Sequence, residues 1–305
     1  MVVHKVPTGN SRDRSVVSLP AMSGAGRMRD QLDRSARRWF VASVIIGAVL
    51  AIFFHALVGS FVVSINELSY GVLGRTLGAE VVASAWALLA FAGSALVFAR
   101  YHSMIPGTGL WKGIRYGSAV GIIWLVGMLE GVALFGNPLL NEFLIGLSDA
   151  IPVMVMSILL GVFVFRSTSS TENVAGKPGQ LQATGALLLI ALVYVAVRYL
   201  GYVGGIIGSG HVERPVLTFV WTALMGLSVG VAFLLLLNAV LSESTTRSAA
   251  RFGLGIFGVN WFVFMVFIPM LFEGVFVDVM TRVSLDIGAV VLGCYLALRF
   301  WYREG

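Results

Sequence analysis

Eight long apolar runs divide this chain, at about 39–63, 81–99, 114–136, 143–165, 184–206, 216–240, 252–272 and 283–302. A run near 20 residues spans the hydrocarbon of a bilayer as a helix, the form in which a single segment satisfies its own backbone there. The fold class that follows is all-α: a polytopic membrane protein of eight transmembrane helices. Only 12% of the residues are charged, about half the usage of soluble domains. Polar punctuation is therefore sparse, and each charge carries information.

A net charge of +6 would suit a nucleic-acid partner if it were clustered. Instead the basic residues stand at the ends of the apolar runs, which leaves the lipid bilayer as the partner and no nucleic acid. With the N-terminus inside, 17 of the 21 Lys and Arg fall on the inner side. Only Arg75, Arg198, Arg214 and Arg282 fall outside. This asymmetry predicts cytoplasmic N- and C-termini in a plasma-membrane protein. Trp39, Trp111 and Trp301 sit at inner run ends, where an aromatic belt belongs.

The chain also says much of this twice. Arg115-Tyr116-Gly117 reappears 136 residues later as Arg251-Phe252-Gly253, and Asp149 as Asp286 at an offset of 137. Trp86 matches Trp221, and Ala56-Leu57-Val58 matches Ala191-Leu192-Val193, both at 135. A near-constant offset predicts a tandem duplication of a four-helix unit. Four is even, so both units enter the membrane in the same sense, related by an axis along the membrane normal. The predicted organisation is a polar basic cytoplasmic tail (1–38), a first membrane repeat (39–165), a Ser/Thr- and Gly-rich cytoplasmic linker (166–183) and a second membrane repeat (184–302). Within the tail, Arg27 to Arg38 is expected to be helical, with acid-before-base pairs Asp30–Arg34 and Asp33–Arg37. Glycines four apart (Gly113, Gly117 and Gly121; Gly226 and Gly230) mark close helix packing.

Ionisable groups inside a membrane are costly and need a reason. His55, Glu130, Asp149, Arg198 and Asp286 all fall within runs, the acids toward the outer side. One reading makes Asp149 and Asp286 a pair of repeat-related carboxylates facing a shared cavity, binding a cation or proton. The other, taken as the stronger, makes each a helix cap in a first turn, with Pro152 suited to such a turn. Arg198 is expected to pair with Glu67, Glu130 or Asp149. The position matching it in the first half is Val63. His55 has no second histidine at membrane depth, so a bis-histidine haem is not expected. It reads as a neutral ring bonded to a neighbouring helix. Pro269 reads as a kink. The single Cys294 excludes an internal disulfide. No metal or cofactor site is implied, and no catalytic motif is present.

Function is not legible beyond a multi-helix membrane protein. Two classes are expected: a transporter of a small solute or ion, with protons a candidate, through the interface between the repeats; or a non-catalytic scaffold or partner subunit in which the polar residues cap and staple helices. An intramembrane enzyme is a third, with no residue to select it.

Overall fold

The computed structural model of the chain describes residues 23–61, 68–166, 179–242 and 244–302. The expectations placed on residues 1–22, Val63, Glu67 and most of the linker lie outside these. The described residues form helices with no strand, apart from one isolated antiparallel bridge between Tyr70 and Phe272. Eight helices are long and apolar enough to cross a membrane: α1 (Arg34–Gly59), α2 (Ala79–Met104), α3 (Gly109–Phe135), α4 (Leu139–Val164), α5 (Gln180–Val203), α6 (Pro215–Leu235), α7 (Thr245–Leu271) and α8 (Phe276–Trp301). Helix is already present from Ser23, earlier than Arg27.

Two boundaries depart from expectation in a way that matters. Helix α3 stops at Gly136, which takes a left-handed φ of 77°, a conformation that glycine adopts without a Cβ penalty. Pro138 then starts α4 directly, with Leu139 as its first residue. Helix α8 begins at Phe276, not 283. Asp278 and Arg282 thus belong to the helix, where they pair with each other at 2.7 Å. Pro152 is correspondingly interior to α4, and the α7 helix is interrupted at Val266, one turn before Pro269, whose missing N–H removes a helical bond.

The spans alternate in direction. Trp39 at the start of α1 stacks on Phe163 at the end of α4, with ring centroids 4.4 Å apart. The start of α3 meets the end of α4, the start of α5 meets Trp301 of α8, and Tyr101 at the end of α2 reaches Gly255 of α7. This common end is called the linker face below, and the other the far face. Between α3 and α4 the approach is closest along a row of glycines. A Cβ on Gly113 would lie 2.5 Å from the Ser157 carbonyl oxygen, and one on Gly117 would lie 2.9 Å from the Met154 Cα.

Contacts between the first and second four helices come in matched pairs. The Trp86 indole N–H of α2 donates to the Val263 carbonyl of α7 at 2.8 Å, and the Trp221 indole of α6 donates to the Val126 carbonyl of α3 at 2.8 Å. Both donors and both acceptors keep offsets of 135–137 residues. At the far face, the segment before α2 bonds the one before α8, through Gly71 N–H to the Leu271 carbonyl (2.8 Å) and Arg75 to Glu273 (2.7 Å). The segment before α6 holds the end of α3 in the corresponding way, through Arg214 to the Ala133 and Leu134 carbonyls at 3.0 and 2.5 Å. At the linker face, Arg115 donates to the Pro106 carbonyl and Arg251 to the Leu241 carbonyl, at 3.1 and 3.0 Å. A buried aromatic group of Phe91, Trp124, Trp261 and Phe264 fills the space between these contacts.

The first spans do not keep this offset. Trp39 and His55 of α1 meet Phe163 and Asp149 of α4. Gly185 and Arg198 of α5 meet Trp301 and Asp286 of α8. The α4 and α8 residues are 137–138 apart, the α1 and α5 residues 143–146. Relative to the register taken from Ala56-Leu57-Val58, α1 is shifted by about two to three turns.

Each indole bond should contribute alike. Trp86→Phe and Trp221→Phe are expected to lower unfolding stability by similar amounts, about 0.5–1.5 kcal/mol each, and additively, as read by thermal unfolding of the purified protein in detergent.

Candidate functional site

Asp149 and Asp286 are each the eleventh residue of their span, counted from Leu139 and Phe276. At 1.5 Å per residue that is roughly 15 Å below the helix start. Neither can act as an N-terminal cap, since caps serve only the first turn. The capping reading fails because both helices begin earlier than the apolar runs suggest. Each carboxylate instead has a basic partner of its own, from the first span of the same four-helix set.

Arg198 is the fully buried cation of α5. Its Nε donates to Asp286 Oδ1 at 2.6 Å and its Nη2 to Oδ2 at 2.7 Å, the bidentate geometry that suits a guanidinium. Oδ2 also accepts the Trp261 indole N–H at 2.9 Å. Arg198 Nη1 donates to Glu130 of α3 at 3.0 Å and, more weakly, to the Tyr202 hydroxyl at 3.4 Å. The guanidinium carbon lies 4.9 Å from the Trp221 ring centroid and 5.8 and 5.9 Å from those of Tyr194 and Tyr202. Aromatic faces of this kind stabilise a desolvated cation. The tyrosines stand four residues before and after Arg198, so helical geometry alone places them on its face.

The network continues along α8. Asp278, Arg282 and Asp286 are spaced by four and share a helix face. Arg282 donates to Glu130 through a short contact, to Asp278 at 2.7 Å and to the Gly208 carbonyl at 2.9 Å. Glu130 is thus shared by two arginines, with both guanidinium side chains at least 96% covered. Of the three acids expected to meet Arg198, Glu130 does, Asp149 does not, and Glu67 lies outside the described residues. Asp286 was not among them.

The pair in the first half is different in kind. His55 Nε2 lies 2.9 Å from Asp149 Oδ1. The Asp149 side chain is 2% exposed, whereas that of His55 is 36% exposed. No arginine reaches this carboxylate among the described residues. A histidine partner can gain or lose its proton near neutral pH, which a guanidinium cannot. Asn260, a buried polar residue of α7, bonds the Tyr116 hydroxyl at 3.0 Å and its own helix at Ile256, a closed packing contact.

The chain matches no protein-family model, no curated protein and no solved structure. What the buried groups do is therefore argued from their own chemistry. Two shallow apolar grooves lie on the bundle surface, one between α7 and α8 lined by Leu254, Ile287 and Leu292, the other by Leu188, Leu192 and Phe300. Neither is lined by His55, Glu130, Asp149, Arg198 or Asp286. Among the described residues no group of three or more His, Cys, Asp or Glu is placed to hold a metal ion.

Arg198 and Asp286 stabilise as a unit. Arg198→Met or Asp286→Asn alone leaves a buried charge without its counterpart and is expected to cost about 3–5 kcal/mol. The double variant Arg198→Met/Asp286→Leu should recover much of that loss. Thermal unfolding of the three proteins checks this; additive losses in the double variant would show that the pair is not coupled.

Proposed function

We propose that the chain is a transporter of a small solute or ion, built from two duplicated four-helix repeats, with His55 and Asp149 as its proton-carrying pair. The observation that carries the reading is the contrast between corresponding pairs. Arg198–Asp286 is permanent, saturated and sealed. His55–Asp149 joins a titratable ring, 36% exposed, to a carboxylate that is 2% exposed. Ionisable residues at membrane depth are rare and mark proton relays and ion paths. A site that changes charge beside one that cannot is suited to couple proton movement to a rearrangement between halves. The matched indole bonds and loop contacts support the duplication and, with it, an interface around a central axis of the kind parallel-repeat transporters use.

In this reading the Arg198 network is the fixed counterpart and holds the far ends of α3, α5, α7 and α8 together. A proton on the pair neutralises Asp149 or charges His55, which changes the cost of exposing them. The earlier version, in which Asp149 and Asp286 serve one cavity, is less well supported, since Asp286 has its valences filled. The far face is outward and the linker face cytoplasmic, with both termini inside the cell in the plasma membrane. Seventeen basic residues on that side support the assignment.

One observation favours a scaffold or partner subunit instead: the closed ion-pair network around Arg198, which suits a stapled, static bundle. Proton flux separates the two. Reconstituted in vesicles with an imposed membrane potential, the native protein is expected to acidify the lumen faster than lipid alone. Asp149→Asn and His55→Asn should each reduce that rate at least tenfold while unfolding within a few degrees of native. A native rate equal to vesicle leak, or unchanged rates in both variants, would leave the scaffold.

Orientation has its own test. Reporters fused after Gly305 and inserted within 166–183 should both read cytoplasmic, and an external signal from either would reverse the assignment.

A further inference from the structure

Lys112 is among the largest fully buried side chains of the protein, 1% exposed, yet it makes no hydrogen bond or ion pair with any other described side chain. Buried charges are normally paired. Its position aggravates the problem. Lys112 is the fourth residue of α3, whose first turn starts at Gly109. The unpaired N–H groups there carry partial positive charge, and the Thr108 side chain does not cap them. The His102 ring is close enough to interact with the Lys112 charge, and Arg115 stands one turn on, half-buried. Cationic groups and helix N–H donors converge, and no described acid balances them.

The corresponding place in the second half shows what a self-sufficient solution looks like. Ser248, 136 residues on, is equally buried at 1%. Its hydroxyl accepts from the Ser242 N–H at 2.9 Å and bonds the Ser242 hydroxyl at 3.0 Å. There the α7 start is closed by the chain itself. At Lys112 the same place holds a cation that no described side chain pairs with.

We propose that Lys112 and the α3 N-terminus form a binding site for a phosphate group at the linker face. A phosphate carries negative charge at neutral pH and several acceptor oxygens, which match an ammonium and a helix N-terminus together. Two sources supply it: an anionic lipid headgroup or free phosphate. The neighbours on the same turn, Leu110 and Trp111, are 44% and 56% exposed. Lys112 lies only about 5 Å from the helix start, at headgroup depth, and basic pockets between helices there suit lipid phosphates.

The test uses the full chain in mild detergent with two probes, inorganic phosphate and phosphatidylglycerol, and phosphatidylcholine as the uncharged-headgroup control. Binding is read by native mass spectrometry and by thermal shift. The native protein is expected to bind at least one of the two probes in preference to the control. Phosphatidylglycerol retention alone identifies the lipid source, and a shift with inorganic phosphate identifies the free anion. Lys112→Met and Lys112→Ser, the latter copying Ser248, should weaken that binding at least tenfold, and Lys112→Arg should keep it within about threefold. Failure of the native protein to bind either probe overturns the proposal, whatever the variants do. So does equal binding by native protein and a folded Lys112→Met or Lys112→Ser variant.

Discussion

A guanidinium with no exposure, held at membrane depth, sets terms that the surrounding helices must meet. Arg198 cannot discharge itself by losing a proton, so every one of its donors needs an acceptor or an aromatic face. Asp286 meets the fork from α8, Glu130 arrives from α3, and the Trp261 indole of α7 steadies the carboxylate. Four spans are thereby fixed relative to one side chain. The early start of α8 follows from the same demand, because Arg282 brings a second cation to Glu130 and must sit on the helix to reach it. Such a pair adds little over an apolar core in net stability, but removing either member is costly, so the arrangement is fixed once formed.

Around this network the two sets of four helices treat each other alike: an indole for a carbonyl, a loop for a loop, an arginine for a loop carbonyl. Reciprocity provides a reference within the molecule. Where it fails, the difference is chemical. At one pair of positions a titratable imidazole stands in for a guanidinium. At another a lysine stands in for a self-satisfied serine.

The spans were legible because hydrocarbon leaves so few alternatives. The roles of the acids were not. Hydropathy places a helix start where charge ends, so Asp278 and Arg282 displaced the apparent start of α8 by about two turns, and Asp286 looked like a first-turn residue. Two signals were available in the sequence: the Asp278, Arg282, Asp286 spacing and the Tyr194, Arg198, Tyr202 spacing, each a stripe of period four. The Arg198–Asp286 bond itself joins residues 88 apart, and no local pattern encodes which carboxylate a given arginine meets. The shift of α1 had a similar origin. Ala-Leu-Val is too common in apolar spans to fix a register, whereas the His55 contact does. Lys112 was counted only for its sign, since burial of an end-of-span lysine is a tertiary fact.

The exchange of indole bonds also has a bearing on biogenesis. Trp86 finds its acceptor 177 residues later in the chain. At ordinary synthesis rates of about 5–20 residues per second, α2 waits roughly ten to thirty-five seconds for the acceptor that α7 supplies. During that interval the Trp86 indole edge has no native acceptor. The two sets of four helices therefore meet in stages: α6 reaches α3 first, through Trp221, and the reciprocal bond closes only when α7 brings the acceptor for Trp86.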